Sequence, residues 1–279
     1  MSRTGGSVVA GIILLALVAV VPTPVAGASG PWVPAPGLRW QYQLQGTFKP
    51  NLCVVPSKGG ACVRPNVYDL DLYATNGVTL NSAAVAAVHG AGGHAVCYVD
   101  AGTWENWRPD AHRYPVSVLG KGNGWPGERW VDIRNTSVLL PILSARVAKC
   151  AAAHFDAVEF DNVDGFANNT GFPLTGAEQL TFDEDLASMA HADGLSVGLK
   201  NDLAQLGPLQ SAFDFAINEQ CAQYNECADY AAWEAAHKAV VEVEYREKPA
   251  KFCLSAVLAG RDAMQKGLSL RAKPWKPCR

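Results

Sequence analysis

Residues 157–161 read AVEFD and residues 195–201 read LSVGLKN; between them, at 177–191, lies AEQLTFDEDLASMAH. The outer runs alternate polar with apolar side chains at the two-residue period of a strand. The middle run is longer, contains neither Gly nor Pro, and has the length of a helix. Strand, helix and strand in that order suit a parallel sheet, because two parallel strands need a long crossover between them.

The pattern continues in both directions. Strands are expected at 40–45, 67–73, 95–100, 213–218 and 240–245, with a weaker one at 263–266, and helices at 81–89, 138–152, 229–238 and 249–259. Strand–helix alternation on this scale predicts one α/β domain folded as a parallel (β/α)8 TIM-like barrel; a doubly wound open sheet is the structural rival.

The 279 residues are 49% hydrophobic and carry 23 Lys plus Arg against 26 Asp plus Glu, a net charge of -3. That apolar fraction can build a core, and no basic excess exists to neutralise phosphate, so disorder and nucleic-acid binding are not expected. Arg3, an apolar run at 8–21, two prolines and small residues at 26–29 follow one another as in a secretory signal peptide, expected over 1–28. A leader at 29–38 and the barrel at 39–279 follow. Export oxidises thiols, so the eight cysteines are expected to form four disulfides. Counting alone leaves 105 pairings open; closeness in sequence favours Cys53–Cys62 and Cys221–Cys227, with Cys97–Cys150 and Cys253–Cys278 by elimination. No CxxC or HxxxH spacing supports structural zinc.

Within each strand one parity is polar: Gln41, Gln43 and Gln45; Asp69, Asp71 and Tyr73; Tyr98 and Asp100; Glu159 and Asp161; Ser196, Gly198 and Lys200; Glu242 and Glu244. If the apolar parity packs on surrounding helices, the polar one faces the barrel interior, where carboxylates are costly unless paired or open to solvent at one end. A wet antiparallel sheet is the plainer reading, and the helical segments between the strands argue against it.

Carboxylates concentrate at three strand ends, YVDAG (98–102), EFDNVD (159–164) and NEQC (218–221), which is where barrels place active sites. Two carboxyls facing one gap can divide labour, one protonating a leaving oxygen while the other attacks carbon or activates water. Magnesium or calcium could use the same oxygens at Asp156, Glu159, Asp161 and Asp164, although alternation puts Asp161 and Asp164 on opposite faces unless the chain bends. No P-loop is present, and neither a nucleotide cofactor nor a serine nucleophile is expected. Trp104, Trp107 and Trp125, with Glu105 and Arg108 nearby, could stack on sugar rings or plug gaps in a core.

In order, the strand at 40–45, VYDLDLY, CYVDAGTWENWRPD, VEFDNVDG, GLKND and INEQC resemble the family 114 glycoside hydrolases, endo-α-1,4-polygalactosaminidases with a (β/α)8 barrel. The resemblance spans nearly the whole mature sequence to Cys278. It implies catalytic carboxylates at Asp161 and Glu219, and internal cutting of an α-1,4-linked galactosamine-rich polysaccharide. Deacetylated galactosamine is an ammonium, which an acidic cleft attracts. Substrate contacts are expected from Asp71, Tyr73, Asp100, Trp104, Asp164, Lys200 and Glu244, with no metal and no cofactor. The expected protein is a secreted monomer whose partner is that galactosamine-containing polysaccharide. A barrel that binds polysaccharide without cutting it, and a metal-dependent hydrolase or deacetylase, are the alternatives. One discord stands: alternation from Phe213, Phe215 and Ile217 turns Asn218 inward in place of Glu219, so the strand end is expected to bend.

Overall fold

The structure, a computed structural model, describes residues 1–2, 5, 30–55 and 60–279. Residues 31–279 form one compact unit. The expected signal peptide lies almost wholly outside the described residues. Among the described residues no helix is long and apolar enough to cross a membrane.

The elements follow in the order β1 (Trp40–Gln43), β2 (Val67–Asp71), α1 (Ser82–Gly90), β3 (His94–Asp100), β4 (Thr103–Glu105), β5 (Glu128–Trp130), α2 (Thr136–Ala152) and β6 (Ala157–Asp161). The second half contains α3 (Gly176–Ala192), β7 (Ser196–Lys200), α4 (Leu206–Leu209), β8 (Phe215–Glu219), α5 (Cys221–Tyr224), α6 (Ala231–Ala235), β9 (Val240–Glu244), α7 (Pro249–Ala259), β10 (Asp262–Lys266) and β11 (Trp275–Pro277). The main sheet runs β1-β2-β3-β6-β7-β8-β9-β10-β11 and is parallel except for β11, which pairs antiparallel with β10. The result is a nearly closed, parallel-dominated barrel with helices between its strands. At the seam between β1 and β10, Trp275 donates to the Trp40 carbonyl at 2.7 Å and Lys266 to Gln41 Oε1 at 2.6 Å. The ninth strand and the β4–β5 ribbon were not expected from the sequence.

Local chemistry fixes several boundaries. Thr175 and Glu178 form a reciprocal capping box that starts α3 after the Gly- and Asn-rich stretch. Pro249 opens α7 at a position where its missing N–H is not needed, and Gly260 ends it at φ +87°. The expected helix at 229–238 is reduced to α6, preceded by a 3-10 turn at Cys227–Tyr230.

Outside the barrel, Leu70, Cys97, Val158, Phe160, Val197 and Leu199 share one buried cluster with Val85, Leu143 and Leu186 of the helices. Each such Val, Leu or Phe side chain contributes about 1.5–3 kcal/mol relative to exposure. The leader joins the barrel's second cluster through Trp32 and Leu38, and Trp32 stacks on His94 with ring centroids 4.0 Å apart. All four expected disulfides are present, with Cα atoms 5.6, 5.9, 4.7 and 5.1 Å apart in chain order. Those spacings need no backbone movement to bridge.

Parity divides the strands into two groups. In β2, β3, β6 and β7 the polar set faces inward as expected. In β1, β8 and β9 it does not. Trp40, Tyr42, Phe215, Ile217, Val241 and Val243 belong to the interior cluster. The cause is space, since a barrel interior is a packed core and something must fill it. A Cβ on Gly198 would lie 2.4 Å from the Phe215 ring, so the glycine of β7 makes the room that Phe215 of β8 occupies.

Candidate active site

The inward set of β8 is Phe215, Ile217 and Glu219, so Glu219 reaches the mouth of the barrel by regular alternation and no bend is needed. Asn218 faces out and donates to the Tyr230 hydroxyl at 3.3 Å. On β6 the bend does occur. Asn162 takes φ +59°, and the turn brings both Asp161 and Asp164 to one cleft. Asn162 also packs so tightly that a Cβ on Gly102 would lie 1.7 Å from its carbonyl oxygen, which reserves that position for glycine.

A cleft of about 400 Å³ opens at the C-terminal mouth of the barrel, lined by Asp161, Glu219, Lys200, Tyr42, Tyr98 and Tyr245, and walled by Trp107, Trp125 and Trp130. Six carboxylates line it, Asp71, Glu105, Glu128, Asp161, Asp164 and Glu219, against two cations, Arg108 and Lys200. That imbalance suits a cationic ligand.

Lys200 organises the centre. Its ammonium lies 3.1 Å from Asp161 Oδ1, 3.4 Å from Glu219 Oε2 and 3.3 Å from Glu159 Oε1, and it donates to Tyr42 Oη at 2.9 Å. The first two legs together cap the separation of those Asp161 and Glu219 oxygens at 6.5 Å. Burial works against the Lys200 charge, yet the surrounding Asp161, Glu159 and Glu219 outweigh it and hold the ammonium well above its ordinary pKa. Asp161 accepts from Tyr98 at 2.7 Å and from the Asn162 amide at 2.9 Å. Burial would raise it, but the Lys200 charge and these donors prevail and keep Asp161 below its ordinary value. Tyr245 donates to Glu219 Oε1. Burial raises Tyr42, Tyr98 and Tyr245, and the neighbouring carboxylates raise them further, so all three remain hydroxyl donors.

The structure brings Asp71, Asp164 and Lys200 to the cleft with Asp161 and Glu219. Asp71 is clamped there by Arg108 through bonds of 2.7 and 2.8 Å, and Arg108 also grips Glu105 at 2.5 and 2.6 Å. It does not bring Tyr73, Asp100, Trp104 or Glu244 there. Tyr73 is buried against Arg108 and accepts from Lys149. Asp100 is 1% exposed, its oxygens taken by Thr103 and Asn162. Trp104 packs on the core and donates to the Ala111 carbonyl. Glu244 faces outward from β9 and accepts the Ala222 amide at 2.7 Å.

Two glycine-spaced stretches have the form of known motifs without their structural context. GLSVG at 194–198 has the form of a serine elbow, but Ser196 opens β7 and is fully buried, two residues below Gly198 and four below Lys200, with no turn into a helix. GNGWPG at 122–127 has dinucleotide-fingerprint spacing, yet it leads into β5 in place of a helix. Its structural yield is Trp125, which it holds on the cleft wall at 57% exposure.

Sequence reasoning missed Tyr42, Tyr245, Glu128 and Trp130 as cleft residues. The available signal for the two tyrosines was a polar-tipped ring on an otherwise apolar parity near a strand end.

The family profile of glycoside-hydrolase family GH114 matches residues 21–273. The chain belongs to glycoside hydrolase family 114. Among solved structures, Aspergillus fumigatus Ega3 in complex with galactosamine is 31% identical, with a TM-score of 0.76 over 88% of this chain and 97% of that one. The glycoside hydrolase domain of PelA from Pseudomonas aeruginosa shares 14% identity with a TM-score of 0.58, over 76% of this chain and 90% of the other, a likeness of fold. A comparison with curated protein sequences returned no significant match. As a family 114 member the chain is a glycoside hydrolase, and its cleft is the place to look for the chemistry.

Proposed function

We propose that this glycoside hydrolase is a secreted, monomeric endo-enzyme that cleaves α-1,4-linked galactosamine-rich polysaccharide by a retaining mechanism, with Asp161 as nucleophile and Glu219 as acid and base. The observation that carries this reading is the Lys200-centred pair, whose facing oxygens are at most 6.5 Å apart. Retaining enzymes separate their carboxyls by about 5–5.5 Å, whereas inverting ones leave room for a water at about 6.5–9.5 Å.

The roles follow from the donors. Asp161 receives the shorter ammonium contact, a tyrosine hydroxyl and a backbone amide, and stays anionic. It attacks the anomeric carbon as Glu219 passes a proton to the departing glycosidic oxygen. Water then attacks the same carbon, Glu219 takes its proton, and Asp161 leaves as carboxylate. Galactosamine as the substrate is supported by the acidic lining and by the galactosamine complex of Ega3. Glu128 and Asp164, the lining acids without an Arg or Lys bonded to them among the described residues, are the proposed contacts for substrate ammonium groups. Four disulfides suit an exported protein and the proposed signal peptide at 1–28.

The test is release of reducing ends from fully deacetylated, partly acetylated and fully acetylated α-1,4-galactosamine polymers. The wild type is expected to cut the deacetylated chains fastest. Asp161→Asn and Glu219→Gln are each expected to lose at least about 10³-fold in kcat with the thermal midpoint near wild type. Retained turnover in either variant removes that residue from the pair; intact binding with no new reducing ends in wild type would make the protein a binding module.

A further inference from the structure

One layer below the catalytic pair, on the same inward parities of β2 and β6, Asp69 meets Glu159. Both are 0% exposed. Among the described residues no protein donor bonds either Asp69 oxygen or Glu159 Oε2. Glu159 Oε1 accepts from Tyr42 at 3.2 Å and lies 3.3 Å from Lys200 Nζ. The two carboxyls are within hydrogen-bonding reach of each other. Two facing carboxylates repel, and an enclosed anion without donors costs several kcal/mol, as the buried-charge penalties indicate. A proton carried by one of them turns the repulsion into a hydrogen bond.

We propose that Asp69 and Glu159 share one buried proton, Asp69 donating and Glu159 accepting, and that the charge left on Glu159 counterbalances Lys200 from below, setting the field that Lys200 exerts on the catalytic pair. The idea rests on the catalytic reading of Asp161 and Glu219. Both lower acids are positioning residues that act through Lys200. With Asp69, Glu159, Asp161 and Glu219 all ionised, four negative charges would crowd one ammonium. The shared proton removes one of those charges.

The surroundings agree. Burial lifts Asp69 well above its ordinary value, and Glu159 with its neighbouring charge adds to the lift. Burial likewise lifts Glu159, to about 7, against the downward pull of Lys200. Both acids are pushed toward the protonated form, and one proton held between them meets that push while leaving one charge beside Lys200. Around it stand Tyr42 from β1, Asp161 above on β6, Lys200 from β7 and Glu219 from β8. Tyr42 stays neutral, so Lys200 is the cation through which the pair is felt.

Two amide variants separate this device from simple packing. Asp69→Asn keeps a donor to an ionised Glu159, so the alkaline limb of kcat/KM is expected to stay within about twofold of wild type at each pH, after normalisation to the optimum. Glu159→Gln removes the counter-charge, and its alkaline limb is expected to move about one unit toward acid, a tenfold relative loss on that limb. Equal shifts in both variants, or none in either, would overturn the proposal. Infrared spectroscopy supplies a reading independent of activity: at pH 7.5 the difference between wild type and Asp69→Asn is expected to contain a protonated-carboxyl band, and Glu159→Gln, which takes away its charged acceptor, is expected to shift that band. A wild-type band unchanged in both variants would overturn the shared proton. Failure of the catalytic reading would leave that band in place, so the two failures are told apart.

Discussion

β6 (AVEFD) and β9 (VVEVE) have the same length and the same two-residue spacing of acids, and they turn those acids to opposite faces. Glu159 and Asp161 of β6 point into the barrel, where Lys200 meets both. Glu242 and Glu244 of β9 point away from it. There Arg261 holds Glu242 at 2.8 Å and the Ala222 amide holds Glu244, while Val241 and Val243 fill the interior. The comparison teaches that an acid on a barrel strand is defined by the partner waiting on its side of the sheet. A lysine surrounded by carboxylates under an open cleft makes a reactive centre; an arginine or amide beneath a helix makes a fastening.

The strongest way to sharpen that contrast is to remove the inner cation. Lys200→Met strands Glu159, Asp161 and Glu219 together, and is expected to lower kcat by roughly 10²–10³-fold and cost about 3–5 kcal/mol of stability. Steady-state assays and chemical denaturation check both figures; near-wild-type values in either would remove Lys200 from its organising role. A smaller effect is expected on the cleft wall. Trp125→Ala, at a site 57% exposed, is expected to raise KM about tenfold, equivalent to about 1.4 kcal/mol, with kcat held. An unchanged KM would show that the indole does not carry substrate.

The smallest catalytic effect belongs to the outer acids. Glu244→Gln keeps the oxygen that accepts from Ala222 and is expected to leave kcat/KM within about twofold. Its signature lies in stability. Burial raises Glu244 to about 7 in the folded protein against the Ala222 hydrogen bond, so the folded state binds the proton more tightly than the unfolded chain does. That contribution is complete below the unfolded value, near 4.5, and is lost as pH rises toward 7. Buried Asp262 and Asp202, both raised to about 7 chiefly by burial, act in the same sense. The thermal midpoint is expected to fall between pH 5 and 7, less steeply in Glu244→Gln; an identical slope would contradict the stated environment of Glu244.

The same contrast explains what the sequence could reveal. In β6 and β7 the alternation separated Glu159, Asp161 and Lys200 from Phe160 and Leu199, and the barrel places them as that pattern implied. Alternation defines two faces without naming the inner one. In β1, β8 and β9 the deciding facts are non-local: Phe215 fills the space beside Gly198, and Glu242 finds Arg261 across 19 residues. Asp100 and Glu244 therefore passed for cleft acids until Thr103, Asn162 and Ala222 were seen to occupy them. Glu219 was found through the NEQC resemblance while its parity was misread. Tyr42 and Tyr245 were hidden among apolar neighbours, although their hydroxyls complete the hydrogen bonding around Lys200 and Glu219.

The decisive measurement is the configuration of the first reducing end released, followed by proton NMR before mutarotation, as wild-type enzyme cuts a defined α-1,4-galactosamine oligomer. Asp161 as nucleophile, with Glu219 as acid and base, predicts that the α anomer forms first. Initial formation of the β anomer would contradict the Lys200-centred pair as nucleophile and acid.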